Sequence, residues 1–175
     1  MAEGTRVRSY EWHDPTRLGA AARELTGLAF ITAIFNGALP PPPIASTLSL
    51  EGADVTEGEV TFAFRPQEIH YNPLGTVHGG VLSTILDSAL GCAVHTTLKR
   101  GQGFTSLTLE VKFLRAANAE SGLLRCTGKV VSRGKTIATA EGAVRDERGR
   151  IFATATTTCM LFPAPGEDSS PPMPA

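Results

Sequence analysis

The residues best suited to chemistry lie between Asn72 and Asp87. Asp87 is the only side chain ionised at neutral pH between Gly79 and Val94, a stretch otherwise made of apolar and small residues. A carboxylate so placed can serve as a general base or a nucleophile, or it can be a solvated residue on the rim of a helix. Gly79 and Gly80 open the stretch, leaving the N–H groups at a helix's positive end free of crowding side chains. Such an end stabilises an anion, including the oxyanion of an acyl-transfer intermediate. His78 directly precedes the glycines, and Asn72 lies in the loop before them. A carboxylate, an imidazole, a carboxamide and bare helix-start amides within sixteen residues form a constellation for acyl transfer. Each has a structural role open to it as well. Asn before Pro often bonds its own turn, and His78 suits orienting the helix start better than moving protons.

Other chemistries lack their residues. There is no G-x-S-x-G elbow, no P-loop and no G-x-G-x-x-G after a strand. His13, His70, His78 and His95 show no metal-ligand spacing, so neither a metal nor another cofactor is expected. Cys92 has no base near it by spacing and reads as a small buried residue. Cys92, Cys126 and Cys159 are odd in number and far apart, which suits free thiols in a reducing cytoplasm. A net charge of −1 and a pI near 6.4 give no global field toward nucleic acid or membrane. The apolar run Leu28 to Leu39 is broken by Thr32, Asn36 and Gly37, and is too short for a bilayer.

These residues need a frame, and 175 residues suffice for one domain, expected over 14–162. Residues 1–13 read as a flexible amino terminus. The Pro- and Ser-rich stretch 163–175 reads as a disordered tail. Asp14, Pro15 and a helical apolar period predict one helix over about 15–36, with a core over about 46–162. Pro40 to Pro43 reads as a stiff extended connector. Thr47 to Leu50 reads as a short strand, and Val60, Phe62 and Phe64 alternate as a second. A long helix from about Gly79 to Leu98 follows, with a broad apolar arc that argues for burial under a sheet. Leu107, Leu109, Val111 and Phe113 alternate with polar residues, the pattern of a strand with one buried face. Strands over Leu123 to Ser132, Thr136 to Arg145 and Ile151 to Phe162 follow through short turns. Short connections predict that these last four strands are antiparallel neighbours. The fold class is α+β, an antiparallel sheet with one long helix to cover it.

The stretch N-P-L-G-T-V-H-G-G-V-L-S-T-I-L-D resembles the signature of the PaaI-type hotdog-fold thioesterases. In that family His-Gly-Gly begins six residues after an Asn, and an Asp stands nine beyond the His; 78 − 72 = 6 and 87 − 78 = 9 here. T-S-L-T-L-E-V-K-F-L-R-A resembles the strand after the family's helix, with Ala116 where Pro is usual. The likeness runs from about Ser46 to Leu161, leaving the amino-terminal helix as an addition. It implies a hotdog fold, a sheet wrapped around the central helix, in a homodimer that often pairs into a homotetramer. It further implies hydrolysis of an acyl-coenzyme A at the dimer interface. Asp87 of one subunit would attack the thioester or activate water. Asn72, His78 and the Gly79 amide would come from the other, with Gly79 polarising the carbonyl and Gly80 beside it. Ser106, or Thr105 in its place, would assist the carboxylate. Arg115, Arg133 and Lys135 are candidates for the coenzyme A phosphates, although charged residues at turns are often merely solvated. Two rival readings are a hotdog hydratase or dehydratase, and an acyl-coenzyme A-binding module without turnover.

Overall fold

The computed structural model describes residues 4–164; most of the expected 163–175 tail lies outside the described residues. Helices α1 (Thr16–Glu24), α2 (Gly27–Phe35) and α3 (Pro43–Leu48) precede strands β1 (Leu50–Thr56) and β2 (Glu59–Phe64). Helix α4 (Gly79–Thr96) follows, then β3 (Gln102–Phe113), β4 (Leu124–Arg133), β5 (Ile137–Asp146) and β6 (Ile151–Pro163). The six strands form one antiparallel sheet in the order β1-β2-β4-β5-β6-β3, and α4 touches every one of them. This is the hotdog arrangement that the sequence implied.

The helix is held by its apolar arc. Ile85, Leu86, Ala89, Leu90, Ala93 and Val94 have no exposed surface, and face a sheet side built from residues such as Phe64, Leu124, Val144 and Phe152. Gly128 on β4 is the point of closest approach. A Cβ there would stand 2.5 Å from the Ala89 carbonyl carbon and oxygen. Its neighbour across the ladder is Gly142, whose added Cβ would meet Thr127 O at 2.7 Å. Two small residues in register therefore let helix backbone rest almost directly on sheet backbone.

Four expectations need correction. The amino-terminal helix is two, because Leu25 is extended and Thr26 caps a new start, its Oγ1 accepting from Ala29 N at 3.4 Å. Residues 47–48 finish α3 rather than begin a strand, since Pro43 at the first helical position starts a short helix out of the proline run. β3 does not neighbour β4. It crosses to pair with β6 at the far edge, the intervening residues 114–123 being long enough for the jump. Its apolar residues are consequently not buried within one chain, with Leu107 42%, Phe113 55% and Leu114 59% exposed.

The amino-terminal helices are fastened to α4. Gly27 N donates to Leu98 O at 2.9 Å, and a Cβ on Gly27 would overlap the His95 carbonyl at 1.7 Å. The His95 ring stacks on Phe30 at 5.0 Å and meets Phe104 edge-on at 5.6 Å. Arg8 ties the preceding arm down, its guanidinium donating to the Ser46 and Thr47 carbonyls.

Gly128→Ala should lose about 1–3 kcal/mol of unfolding free energy by overpacking; a loss near zero in urea titration would show that α4 can lift without cost. Burial lowers the His95 pKa from 6.5 to about 4, so the unfolded chain binds more protons in that window. Stability is then full above pH 6.5 and falls as pH drops toward 4. His95→Leu should flatten that slope, and an unaltered slope would assign it to other groups.

Candidate active site

The amino end of α4 is assembled by the loop before it. Tyr71 and Val77 form an isolated bridge, Asn72 N donates to Thr76 O at 2.8 Å, and Gly75 takes φ 76° to close the turn. The Asn72 carboxamide serves the same turn: its oxygen accepts from Leu74 N at 2.8 Å and Thr76 N at 3.3 Å, while its nitrogen donates to Thr76 Oγ1 at 3.0 Å. His78 N donates to the carbonyl of buried His70 at 2.8 Å, which fixes where the helix begins. His78 is the N-cap. Its Nδ1 accepts from Gly80 N at 2.9 Å, and its carbonyl from Val81 N at 2.9 Å.

That leaves Gly79. Its N–H meets no acceptor among the described residues, and the ring of Phe113 lies where a Cβ would be 3.0 Å away. Asn72, Gly79 and Arg115 border one shallow cavity of about 390 Å³. A free N–H at the positive end of a helix, facing open space, is suited to a partial negative charge. The Gly80 N–H is already occupied by His78.

Asp87 emerges two turns further along, exposed at the edge of the buried arc. Ser106 Oγ donates to its Oδ1 across 3.4 Å, a long bond, and lies 4.0 Å from Cys159 Sγ. Strict alternation would put Ser106 on the opposite side of β3 from Leu109 and Val111. The register shift between Ser106 and Thr108 inserts one extra residue and brings Ser106 onto the α4 side. Thr105 keeps its place opposite Met160 and makes no bond to Asp87. Cys92 is not a nucleophile in waiting: burial, and then the negative charge of Asp87, push its thiol up to about 12.

The sequence candidates thus fall into three groups. Asp87 stands with Ser106; Asn72, His78 and Gly79 stand with Arg115; Arg133 and Lys135 lie apart on the β4–β5 turn. There Arg133 donates to Gln102 Oε1 at 3.1 Å. Thr76, His70 and Phe113 are site residues that sequence reasoning passed over. Only Thr76, four residues after an Asn in a turn, carried a local signal. Among the described residues no cluster of three or more His, Cys, Asp or Glu could hold a metal ion. No described helix is long and apolar enough to cross a membrane.

Within one chain, Gly79 and Asp87 cannot serve one reacting carbonyl. They are eight residues apart on one helix (87 − 79 = 8), about 12 Å along its axis. Gly79 is half-buried and Asp87 exposed, and one chain does not bring the two together.

The chain is similar in sequence and fold to known proteins. The thioesterase superfamily profile matches residues 74–153, a span holding Gly79, Asp87 and Ser106. Acyl-coenzyme A thioesterase 13 of Homo sapiens is 28% identical over 97 residues, 55% of this chain and 68% of that protein. A phenylacetic acid degradation-related protein from Ralstonia eutropha JMP134 is 33% identical, with a TM-score of 0.67 over 74% of this chain and 97% of its own. The PaaI protein of the Escherichia coli phenylacetic acid degradation operon shares the fold, with a TM-score of 0.68 at 19% identity over 81% of this chain and 98% of its own.

His78 is predicted to act by capping. His78→Ala should cost about 1 kcal/mol of stability, and His78→Ser, another good cap, should restore most of it. If Ser fails as badly as Ala in urea unfolding, the imidazole has a role other than accepting the Gly80 N–H.

Proposed function

The chain belongs to the thioesterase superfamily as a PaaI-type hotdog thioester hydrolase, and from that premise we propose that it hydrolyses acyl-coenzyme A at a site shared by two copies. The observation that carries this reading is the separation of Gly79 from Asp87, about 12 Å along one helix. Two copies related by a twofold axis supply the missing half to each other twice over. The unpaired edge of β3 and its exposed Leu107 and Phe113 favour pairing there.

In this site the Gly79 N–H of one copy donates to the thioester oxygen, and its bond strengthens as that oxygen gains negative charge. The Asp87 carboxylate of the other copy acts on the carbonyl carbon by one of two routes. As nucleophile it forms an acyl-aspartyl anhydride and expels the coenzyme A thiolate, which takes up a proton; water then opens the anhydride to the free acid. As base it removes a proton from water while the water oxygen adds, and the departing thiolate receives that proton. Ser106 occupies Oδ1 and leaves Oδ2 free for either task. Asn72 stiffens the loop that presents Gly79, and its remaining N–H can steer the attacking water. Arg115 beside Gly79, with Arg133 and Lys135 on the hairpin, meets the phosphates of coenzyme A. A carboxylate has no use in merely holding a polyanion, which favours turnover over simple binding.

Release of free thiol from acyl-coenzyme A tests the reading in one experiment. Asp87→Asn should remove nearly all turnover. Gly79→Pro deletes the N–H at a helix position that tolerates proline, after an extended His78 (ψ 135°), and should cost on the order of 10²–10³ in rate. Mixing the two inactive variants at equal amounts should restore about a quarter of wild-type turnover, since half of the dimers are mixed and each has one intact site. A mixture as inactive as its parents would confine the site to one chain; an active Asp87→Asn would remove Asp87 from the mechanism.

A further inference from the structure

Beneath the amino-terminal segment lies a second cavity, of about 160 Å³, walled almost wholly by apolar atoms. Its roof is Ile31, Ile34 and Phe35 of α2 with Pro41 and Pro42 of the proline run. Its floor is α4 itself, at Ser88 and Cys92. Both polar floor residues are half-buried: Ser88 Oγ donates to Thr84 O at 2.8 Å, and burial pushes the Cys92 thiol up to about 12. A water inside would find too few partners, so the space is one that an apolar group fills.

Its position relates it to the chemistry. Ser88 is the residue after Asp87, so carboxylate and cavity floor are adjacent positions on α4, about 100° apart around the helix and 1.5 Å along it. The cavity floor thus begins one residue along the helix from the carboxylate that would act on the thioester. The walls are also stiff. Prolines line one side, the Phe35 ring meets Phe62 edge-on at 5.1 Å, and Gly52 lies where any Cβ would strike the Phe35 ring at 2.6 Å. With α2 pinned to α4 through Gly27, the roof cannot rise without breaking that contact.

We propose that this cavity receives the acyl group, and that α2 and the proline run limit it to about six carbons or one ring, the size that a dry 150 Å³ cavity accepts. The inference rests on the reading of the chain as an acyl-coenzyme A thioesterase and adds its substrate class. The roof lies before residue 74, ahead of the span that the superfamily profile matches.

The test has two arms. In the first, thiol release is measured with acetyl-, butyryl-, hexanoyl-, phenylacetyl-, decanoyl- and palmitoyl-coenzyme A. Wild type should prefer hexanoyl or phenylacetyl over decanoyl and palmitoyl. Ile34→Ala should raise the decanoyl-to-hexanoyl ratio of kcat/KM about tenfold, and Ala45→Leu, at a wall residue on α3, should lower the hexanoyl-to-acetyl ratio by a similar factor. In the second arm, methyl NMR of Ile31, Ile34 and Ile44 is followed as a non-hydrolysable hexanoyl thioether of coenzyme A is added. All three methyls should shift in wild type and stay unmoved in Ala45→Leu. Turnover whose chain-length profile ignores both variants would overturn the pocket while leaving the thioesterase standing. No turnover of any member would overturn the thioesterase reading, and the methyl shifts would then decide the pocket alone: unmoved methyls with saturating analogue reject it.

Discussion

Everything in this molecule is arranged around the contact between the backbone of α4 and Gly128. A helix normally stands off a sheet by the length of two side chains, but here one of those layers is missing at the centre. The close approach sinks the arc from Ile85 to Val94 entirely into the sheet. Because the burial is so deep, residues only slightly off that arc come out at its rim, and Asp87 is one of them. The cost of ionising a carboxylate in a dry interior is thereby avoided, yet the group remains anchored to the most rigid element of the fold.

The same helix offers two reactive features of opposite electrostatic character, a bare N–H at its positive end and a carboxylate two turns on. The rise per residue sets them about 12 Å apart along the axis. Around the amino end, polar groups are largely committed: Asn72 to its turn, His70 to His78, His78 to Gly80. The Gly79 N–H and the buried His70 Nε2 are left without a partner among the described residues. β3 plays a parallel part on the other side, with a bulge that turns Ser106 toward Asp87 and an edge left open to a neighbour.

Features governed by local spacing were legible in the sequence. The Asn72–His78–Asp87 intervals, the long apolar arc of α4, the β4–β5 hairpin and the turn into β6 all depend on residues a few positions apart. Features governed by long-range pairing were not. Nothing near Gln102 announces that β3 will cross to β6, and the alternation of Leu107 to Phe113 conceals a bulge that reverses the face of Ser106. The break at Thr26 is hidden because its apolar neighbours keep the helical period across it. The start of α3 at Pro43 is hidden because a proline run favours extended backbone, although its last member can equally begin a helix. The small cavity under α2 combines residues from five separate segments, so no local pattern could have indicated it.

The roof over that cavity and the residues around Asp87 are written in two blocks of the chain that do not interleave. One ends with β2 at Phe64 and the other begins near Asn72, with an irregular loop between them. A gene encoding such a protein can exchange its first block by a single crossover in that loop and leave the catalytic block intact. The contacts such an exchange must preserve include the pairing of β2 with β4, the packing of β2 and α2 on α4, and the seat of α2 at Gly27. Diversification of this lineage is therefore open to recombination as well as to point substitution.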